Sequence, residues 1–172
     1  MLIKPIEEYS SWHVIYTYSG FEKKVNNVLL KNKFNTYLPL QKVARQWSDR
    51  KKIVEVPLFP NYIFVQTSAK RRFDILNIQG ISHYVAFNKR PVCVSDEEIG
   101  AIRTIMIEPE VAVEKYIDEG HLVRLTEGPF IGLKGIVFEK KGKKRIGIKI
   151  ESINQILSIE VCESSIEKIL IN

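Results

Sequence analysis

The chain has 172 residues, of which 45% are hydrophobic, and it carries a formal net charge of +6. This length fits one sizeable domain or two small ones, and the apolar fraction is sufficient for a packed core. No apolar run approaches the roughly 20 residues that span a bilayer, and the N-terminus lacks the pattern of a signal peptide. We therefore expect a cytoplasmic protein with no membrane association.

The charge is distributed unevenly along the chain. Residues 1–107 carry a net charge of +7, residues 108–118 carry −3 and residues 119–172 carry +2. The basic excess in the first part indicates a surface that faces nucleic acid, and an ordinary solvated surface is the alternative. Cys93 and Cys162 lie in apolar, strand-like settings, so we expect two small buried residues and not a disulfide.

The first predicted elements are a strand and a helix. Residues 12–18 are rich in aromatic and β-branched side chains, which favours a strand, and Trp12 is assigned to the core. Ser19 and Glu22 have the spacing of a capping box that opens a helix. The helix is amphipathic, with an apolar stripe of Phe21, Val25, Val28 and Leu29.

A hairpin and a short apolar strand follow. Residues 35–47 are extended, the chain returns over residues 53–58, and the turn between them is basic. Pro60 fixes its own φ and keeps the preceding residue extended, so the chain turns once near this residue and re-enters the sheet. On the next strand, residues 62–66, both faces are apolar. Helices can cover one face, and we expect a partner protein to cover the face that carries Tyr62 and Phe64.

The next stretch alternates short helices with a strand. Ser68 is predicted to cap a short helix whose apolar face carries Phe73 and Leu76, and Gly80 ends it. Residues 81–87 form a strand. Ser95 to Glu98 form a second capping box. The helix that follows presents Ile99, Ile102 and Met106, and Pro109 ends it.

These elements predict an α+β sheet layered with helices over residues 11–107, after an N-terminal extension of residues 1–10. Residues 108–118 are acidic, show little periodicity and are predicted to be a linker. From residue 119 the chain consists of short β-branched runs separated by glycine turns. Residues 119–172 are therefore predicted to form a second, all-β, barrel-like domain.

Several segments resemble the NusG family of transcription elongation factors. Residues 12–25 resemble the opening of its N-terminal domain, and residues 59–65 resemble its FPGYVFV-type signature. Pro91 and residues 95–99 also fit the family, and residues 120–135 resemble a KOW motif.

Other segments resemble specialised members of that family. Asn61, which replaces the glycine of the signature, and residues 80–85 resemble the RfaH-type paralogs. Residues 45–52 resemble the UpxY-type antiterminators of capsular polysaccharide operons.

The resemblance implies an α+β fold in which a NusG-type (NGN) domain, an antiparallel sheet flanked by helices, precedes a small SH3-like β-barrel, the KOW domain. It implies a monomeric factor that binds the clamp helices of the RNA polymerase β′ subunit, with the β subunit as a further candidate contact. The bound factor would hold the clamp closed and raise processivity. The KOW domain would recruit Rho or the NusE ribosomal protein.

The candidate polymerase-binding residues are Tyr16, Phe59, Tyr62 and Phe64, and core packing is the alternative role for all four. Tyrosine suits such a surface because its ring is apolar and its hydroxyl can meet a polar rim. Phe64→Ala is predicted to weaken polymerase binding while the domain stays folded.

The candidate nucleic-acid-binding residues are mostly basic and are expected to contact upstream or non-template DNA through phosphates, with Trp47 stacked on an unpaired base. They are Arg45, Trp47, Arg50, Lys51, Lys52, Lys70, Arg71, Arg72, Lys24 and Lys31. The cluster 70–72 opposes the dipole of the helix that it starts, so local stability does not explain it, and it would touch either polymerase or DNA. The basic turn 140–145 is a further candidate, with a solvated hairpin tip as the alternative.

The histidines His13, His83 and His121 are far apart, and neither metal-ligand spacing nor a phosphate-binding glycine loop is present. We therefore expect no metal, no cofactor and no enzymatic activity. The leading interpretation is a specialised NusG paralog that raises processivity or antitermination on selected operons by binding. The alternatives are a housekeeping NusG and a KOW-type RNA-binding or ribosome-associated module. Five glycines after residue 127 disfavour long helices, so the C-terminal domain is predicted to be a β-barrel and not a helical hairpin.

Overall fold

The computed structural model describes residues 10–46, 51–108, 110–114, 117 and 120–169. Its internal contacts divide the chain into two compact units, Met1–Asp96 and Glu97–Asn172. Among the described residues, no helix is long and apolar enough to cross a membrane.

The first unit is built around an antiparallel sheet. Its elements in chain order are β1 (Ser10–Thr17), α1 (Glu22–Lys31), β2 (Asn35–Tyr37), β3 (Leu40–Gln46), β4 (Lys51–Pro57), β5 (Tyr62–Ser68), α2 (Arg72–Leu76), β6 (Ile81–Tyr84), β7 (Ala86–Phe87), β8 (Arg90–Pro91) and β9 (Cys93–Val94). The main sheet has the order β2-β5-β1-β6, and β9 also pairs with β1. Strands β3 and β4 form a separate two-stranded ribbon, and β7 and β8 form a small hairpin.

One face of the main sheet packs against α1. Strands β1 and β5 pair with Ile15 opposite Ile63, so their inward side chains meet those of the helix. The resulting core is apolar and contains Ile15, Val25, Leu29, Phe34, Ile63, Val65, Ile75, Ile81 and Tyr84. Full burial of one such aliphatic side chain contributes roughly 1.5–3 kcal/mol, so this cluster is a main source of stability for the first unit.

The predicted strand at residues 12–18 is confirmed, with its end at Thr17. The core assignment of Trp12 is also confirmed, because its side chain is 5% exposed and its indole N–H donates to Asp96 Oδ1 at 3.0 Å. The first capping box is wrong. Helix α1 begins at Glu22 with no side-chain cap, and the carboxylate of Glu22 binds a different backbone N–H, described below.

Helix α2 also departs from the prediction. It starts at Arg72, because β5 continues to Ser68, and that serine provides a turn carbonyl for the N–H of Arg71 instead of a cap. Phe73 and Leu76 were expected on the buried face, but they are 73% and 40% exposed. The buried side chain is Ile75. A five-residue helix is too short for its periodicity to identify the buried face from sequence.

The predicted strand at residues 81–87 is divided in two. Strand β6 ends at Tyr84, and β7 begins at Ala86 and turns into its own hairpin with β8. Val85 lies between them, and its N–H donates to the carbonyl of Val14.

The second unit is an all-β sheet preceded by a helix. Its elements are α3 (Asp96–Ile105), which begins at the border between the units, β10 (Ala112–Glu114), β11 (His121–Leu125), β12 (Lys134–Lys140), β13 (Lys143–Ile150), β14 (Gln155–Glu160) and β15 (Ile166–Lys168). The six strands are antiparallel in the order β10-β14-β13-β12-β11-β15. The prediction of a β-structured C-terminal part, in place of a helical hairpin, is confirmed.

Helix α3 starts directly after Ser95, as expected, and buries Ile99, Ile102 and Ile105. It ends before Met106, and the predicted stop at Pro109 lies outside the described residues. The carboxylate of Glu98 accepts the backbone N–H of Ser152, 3.0 Å away.

The segment predicted to be a linker contains a strand. Within residues 108–118, β10 pairs with β14, and Glu114 is buried. The predicted linker thus includes a strand at Ala112–Glu114, which the sequence did not indicate because three residues are too few to show a period of two. The proposed domain boundaries at residues 10, 107 and 118 stay a prediction.

The two cysteines are not buried. Cys93 and Cys162 are both free thiols and both exposed, which corrects the expectation of two small core residues. Each lies beside a strand or at its end, where an apolar sequence context does not guarantee an inward direction.

Candidate functional site

An aromatic patch lies on the sheet face opposite α1. Tyr16 on β1 is directly across from Tyr62 on β5 and from His83 on β6. The Tyr16 and Tyr62 rings meet edge to face at 5.5 Å, and the His83 ring stacks on Tyr16 at 5.1 Å with 21° between the planes. Both tyrosines are partly exposed and His83 is exposed, so the three rings form a continuous surface patch, called the tyrosine–histidine patch below.

The turn that leads into β5 holds Tyr62 in place. Asn61 has a φ of 71°, in the left-handed region that asparagine and glycine tolerate best. Its backbone oxygen accepts the N–H of Thr17 at 2.8 Å, and its side-chain Nδ2 donates to the oxygen of Thr17 at 3.0 Å. Its own N–H donates to Glu22 Oε1 at 3.0 Å. These three hydrogen bonds fix the end of β1 to the turn before β5 and to α1.

Two of the predicted polymerase-binding residues belong to the core. Phe59 and Phe64 are 2% and 0% exposed. Phe64 lies 6.1 Å from the Phe59 ring, edge to face, and 6.1 Å from the Tyr37 ring, stacked. The expectation that Phe64 is accessible to a partner protein is therefore wrong. Truncation of a buried phenylalanine destabilises by about 3–5 kcal/mol, so Phe64→Ala cannot test binding in a folded domain.

The structure brings Tyr16 and Tyr62 together and adds His83 to them. The sequence assigns His83 no metal-binding role and does not place it among the polymerase-binding residues. The available signal was its place on a strand predicted to lie in the same sheet as Tyr16. The pairing of β6 with β1 was not predictable, so the stacking of His83 was missed.

The basic ribbon β3–β4 carries part of the predicted nucleic-acid site. Arg45 pairs across the ribbon with Lys52, and both are exposed, as is Lys51. Trp47 and Arg50 lie outside the described residues. The prediction of a hairpin is confirmed, and three of its cations are accessible on one ribbon.

The cluster 70–72 has a structural role that the sequence did not reveal. The Arg71 guanidinium lies 4.0 Å from the centre of the Phe34 ring, and Nη2 donates to the oxygen of Asn32 at 3.1 Å. The oxygen of Arg72 accepts the hydroxyl of Tyr84. The statement that local stability does not explain this cluster is therefore wrong for Arg71, which ties α2 to the end of α1. Lys70 is exposed.

The remaining basic candidates are divided between contacts and solvent. Lys24 and Lys31 are exposed on α1, and the Nζ of Lys24 lies 5.5 Å above the Phe21 ring. This contact is consistent with a solvated helix face and leaves both lysines accessible.

The basic turn between β12 and β13 is largely neutralised. Lys140 pairs with Glu114 at 2.6 Å, Lys143 with Glu160 at 2.7 Å, and Lys144 pairs with Glu163. Arg145 was expected in a hairpin tip but is 8% exposed. Most of the charge at this turn therefore serves contacts within the second unit.

The histidines and cysteines form no metal site. Among the described residues, no group of three or more His, Cys, Asp or Glu side chains is arranged to hold a metal ion. His13 is buried, and its Nδ1 lies 3.0 Å from the oxygen of Val92. Burial lowers the pKa of His13, with the Val92 contact acting in the opposite direction.

The fold and the patch together define an α+β domain with an exposed aromatic patch, followed by an all-β domain. The architecture is similar to a solved structure of NusG from Thermotoga maritima, with a TM-score of 0.59 over 94% of this chain and 98% of that one, at 21% identity.

The sequence comparisons give the family. The family model described as "Transcription termination factor nusG" matches residues 10–103, more than half of the chain. The NusG transcription termination/antitermination proteins of Borreliella burgdorferi and Helicobacter pylori are each 27% identical, over 92% of this chain and 98% of theirs. That of Streptococcus pyogenes is 29% identical over 77% of this chain and 82% of its own. The chain belongs to the NusG family of transcription termination and antitermination factors, which are not enzymes.

Proposed function

We propose that this chain binds RNA polymerase through the tyrosine–histidine patch and acts as an elongation or antitermination factor. The observation that carries the proposal is the exposed contact of Tyr16, Tyr62 and His83 on one sheet face. Aromatic side chains on a rigid scaffold lose little conformational entropy on binding and dominate interface energetics. The β′ clamp helices are the proposed partner, with the β subunit as a second contact, and the protein would work in the cytoplasm.

Phe59 and Phe64 contribute to this function indirectly in the revised proposal. Both rings lie below the surface and support the strand that presents Tyr62. The polymerase-contacting residues are therefore Tyr16, Tyr62 and the added His83.

The basic ribbon would contact nucleic acid beside the polymerase. Arg45, Lys51 and Lys52 are exposed and close together, which suits phosphate contact with upstream or non-template DNA. Lys70 and the α1 lysines are secondary candidates because they are also exposed.

We also propose that the factor belongs to the specialised branch that acts on selected operons of the capsular polysaccharide type. Residues 45–52 and 80–85 support this choice by their resemblance. Asn61 adds little to it, because the left-handed region tolerates both residues, glycine through its missing Cβ and asparagine through a local side-chain hydrogen bond. The name of the curated relatives favours the second candidate, a general NusG.

The C-terminal all-β domain, proposed to span residues 119–172, would recruit Rho or the NusE ribosomal protein. Its β content and its short turns are the features of a KOW domain that support this proposal. The KOW-type RNA-binding module remains the third candidate, and it requires RNA binding without polymerase.

Polymerase binding is tested with Tyr62→Ala and Tyr16→Ala in a pull-down on core polymerase. Each truncation should weaken binding by about 2 kcal/mol, or roughly 30-fold, because it removes an aromatic contact from the centre of the patch. Ile131→Ala is the matched control, since Ile131 is 69% exposed in the second unit. Unchanged retention of both tyrosine variants, with intact folding, would remove the patch as the docking surface.

The branch is tested by in vitro transcription on a leader-containing template and on unrelated templates. A specialised factor relieves pausing only on templates with its target leader, whereas a general one acts on all of them. Retention of the factor on RNA alone, with no effect on either template, would favour the KOW-module alternative.

A further inference from the structure

The second unit has a short edge strand, β10, that carries one charged residue, Glu114. Strand β10 adds to β14 with Ala112 opposite Ser158, Val113 opposite Leu157 and Glu114 opposite Ile156. The neighbouring pair β13–β14 is six residues long. The backbone contribution of β10 is therefore small, and its attachment depends on side-chain contacts.

A buried carboxylate makes the main contact. Glu114 is 8% exposed, and its Oε1 accepts the hydroxyl of Ser158 at 2.7 Å. Its Oε2 accepts the Nζ of Lys140 at 2.6 Å. Burial alone would raise the pKa of Glu114, but the hydrogen bonds from Lys140 and Ser158, and the charges of Lys140 and Arg145, hold it below its ordinary value. The site is therefore built for a carboxylate.

A buried guanidinium completes the site. Arg145 is 8% exposed and donates through Nε to Ser158 Oγ at 3.0 Å. Its Nη2 donates to the oxygen of Ser158 at 2.8 Å and to the oxygen of Glu110 at 3.0 Å. Arg145 thus positions Ser158 and at the same time holds the main chain of the segment that carries Glu114.

At this edge, residues 110–114 carry the acidic side chains, and the strands against which they pack carry the basic ones. A surface cavity here is lined by Glu110, Ala112, Glu114, Lys140, Lys141, Lys143 and Arg145. Both acidic members belong to the docked segment, and all four cations belong to the β12–β13 hairpin, where Lys143 is paired with Glu160. Without the segment, the lining would be cationic beside an open strand edge.

We propose that the β14 edge is a docking site for an extended acidic segment of a partner protein, and that residues 110–114 of this chain occupy it as an internal competitor. Strand addition would supply main-chain hydrogen bonds, and a carboxylate bound by Ser158 and Lys140 would set register and specificity. The internal segment is present at an effective concentration on the order of millimolar. A partner therefore binds only if its concentration and affinity are sufficient to displace the internal segment. This surface lies in the second unit and does not involve the tyrosine–histidine patch.

The test uses a synthetic peptide of residues 108–114 and the full-length chain. Glu114→Lys should release the internal strand, because it places a third cation beside Lys140 and Arg145. The peptide should then bind this variant at least about tenfold more tightly than it binds the wild-type chain, by fluorescence anisotropy. Binding should also shift the NMR amide signals of Ile156 to Ser158, which report on the β14 edge.

Two controls separate recognition from general charge. Glu110→Lys makes the same charge change on an exposed side chain, and only the main-chain oxygen of Glu110 contacts Arg145, so this variant should bind the peptide no better than wild type. A peptide with glutamine at position 114 should bind the Glu114→Lys chain at least about tenfold more weakly. If Glu114→Lys fails to fold, Glu114→Gln provides the same comparison with a smaller gain.

Three results would overturn the proposal. One is no peptide binding by a folded Glu114→Lys chain, and another is equal binding of the two peptides. The third is that the wild-type chain is a dimer in solution and that the peptide dissociates it. A second copy of this chain would then be the molecule that occupies the edge.

Discussion

The turn at Asn61 is predicted to control both the stability of the first unit and the position of Tyr62. The perturbation is a pair of substitutions, Asn61→Gly and Asn61→Ala. Both remove the side-chain hydrogen bond to the oxygen of Thr17, and only alanine places a Cβ without a polar group at a φ of 71°. The difference between the two variants therefore isolates backbone strain.

The magnitudes follow from these two contributions. Loss of one neutral hydrogen bond costs about 0.5–1.5 kcal/mol, and both variants share this loss. A left-handed conformation costs an alanine about 1–2 kcal/mol more than it costs glycine. We therefore expect Asn61→Gly to lower the free energy of unfolding by about 1 kcal/mol and Asn61→Ala by about 2–3 kcal/mol.

Tryptophan fluorescence during urea unfolding is the assay. The chain has two tryptophans, Trp12 and Trp47, and both precede the border at Asp96, so their emission reports the first unit alone. Both variants should also reduce polymerase retention, because Tyr62 directly follows the turn. Equal destabilisation by glycine and alanine would refute the strain argument. Two variants as stable as wild type would refute the role of the whole turn.

Two further predictions concern the first unit. Burial lowers the pKa of His13 in the folded chain. As the pH falls below the ordinary value of 6.5, His13 is therefore protonated in the unfolded chain before it is protonated in the folded chain, and the free energy of unfolding decreases. His13→Gln should flatten this dependence between pH 7.5 and 5.5 in the same fluorescence assay, and an unchanged slope would contradict the assignment. Gly80→Ala should destabilise by about 1–3 kcal/mol, because a Cβ there would lie 2.5 Å from Phe21 at a φ of 102°. If Gly80→Ala is as stable in urea as the wild type, the Phe21 ring can move away from the added Cβ, and the steric argument is wrong.

The sequence allowed prediction of those elements whose periodicity is long. The ten-residue helix α1 and the eight-residue strand β1 were both located, and the aromatic β5 strand was found with its turn. Short elements were not found correctly, because three to five residues carry too little pattern. Strand β10 was missed for this reason, and the buried face of α2 was assigned to Phe73 and Leu76 in place of Ile75.

The candidate site was predictable only in part, because long-range pairing decides it. Tyr16 and Tyr62 were chosen from their positions in strands, but the burial of Phe64 depends on rings from elsewhere in the chain. Glu22 has the spacing of a capping residue, yet the turn at Asn61 offers its carboxylate a backbone N–H in a partly buried setting. The local spacing of Ser19 and Glu22 does not show that a backbone N–H from a distant part of the chain binds this carboxylate instead.

The ribbon β3–β4 forms a sheet of its own, apart from the main sheet of the first unit. An isolated two-stranded ribbon is marginally stable in water, and its outward residue Ile53 is 69% exposed. Its amide hydrogens should therefore exchange through local opening at free energies well below that of global unfolding. Local opening of the ribbon would change the positions of Arg45 and Lys52 and leave the main sheet closed, so the proposed phosphate contacts would be made by a less stable element than the one that carries the tyrosine–histidine patch.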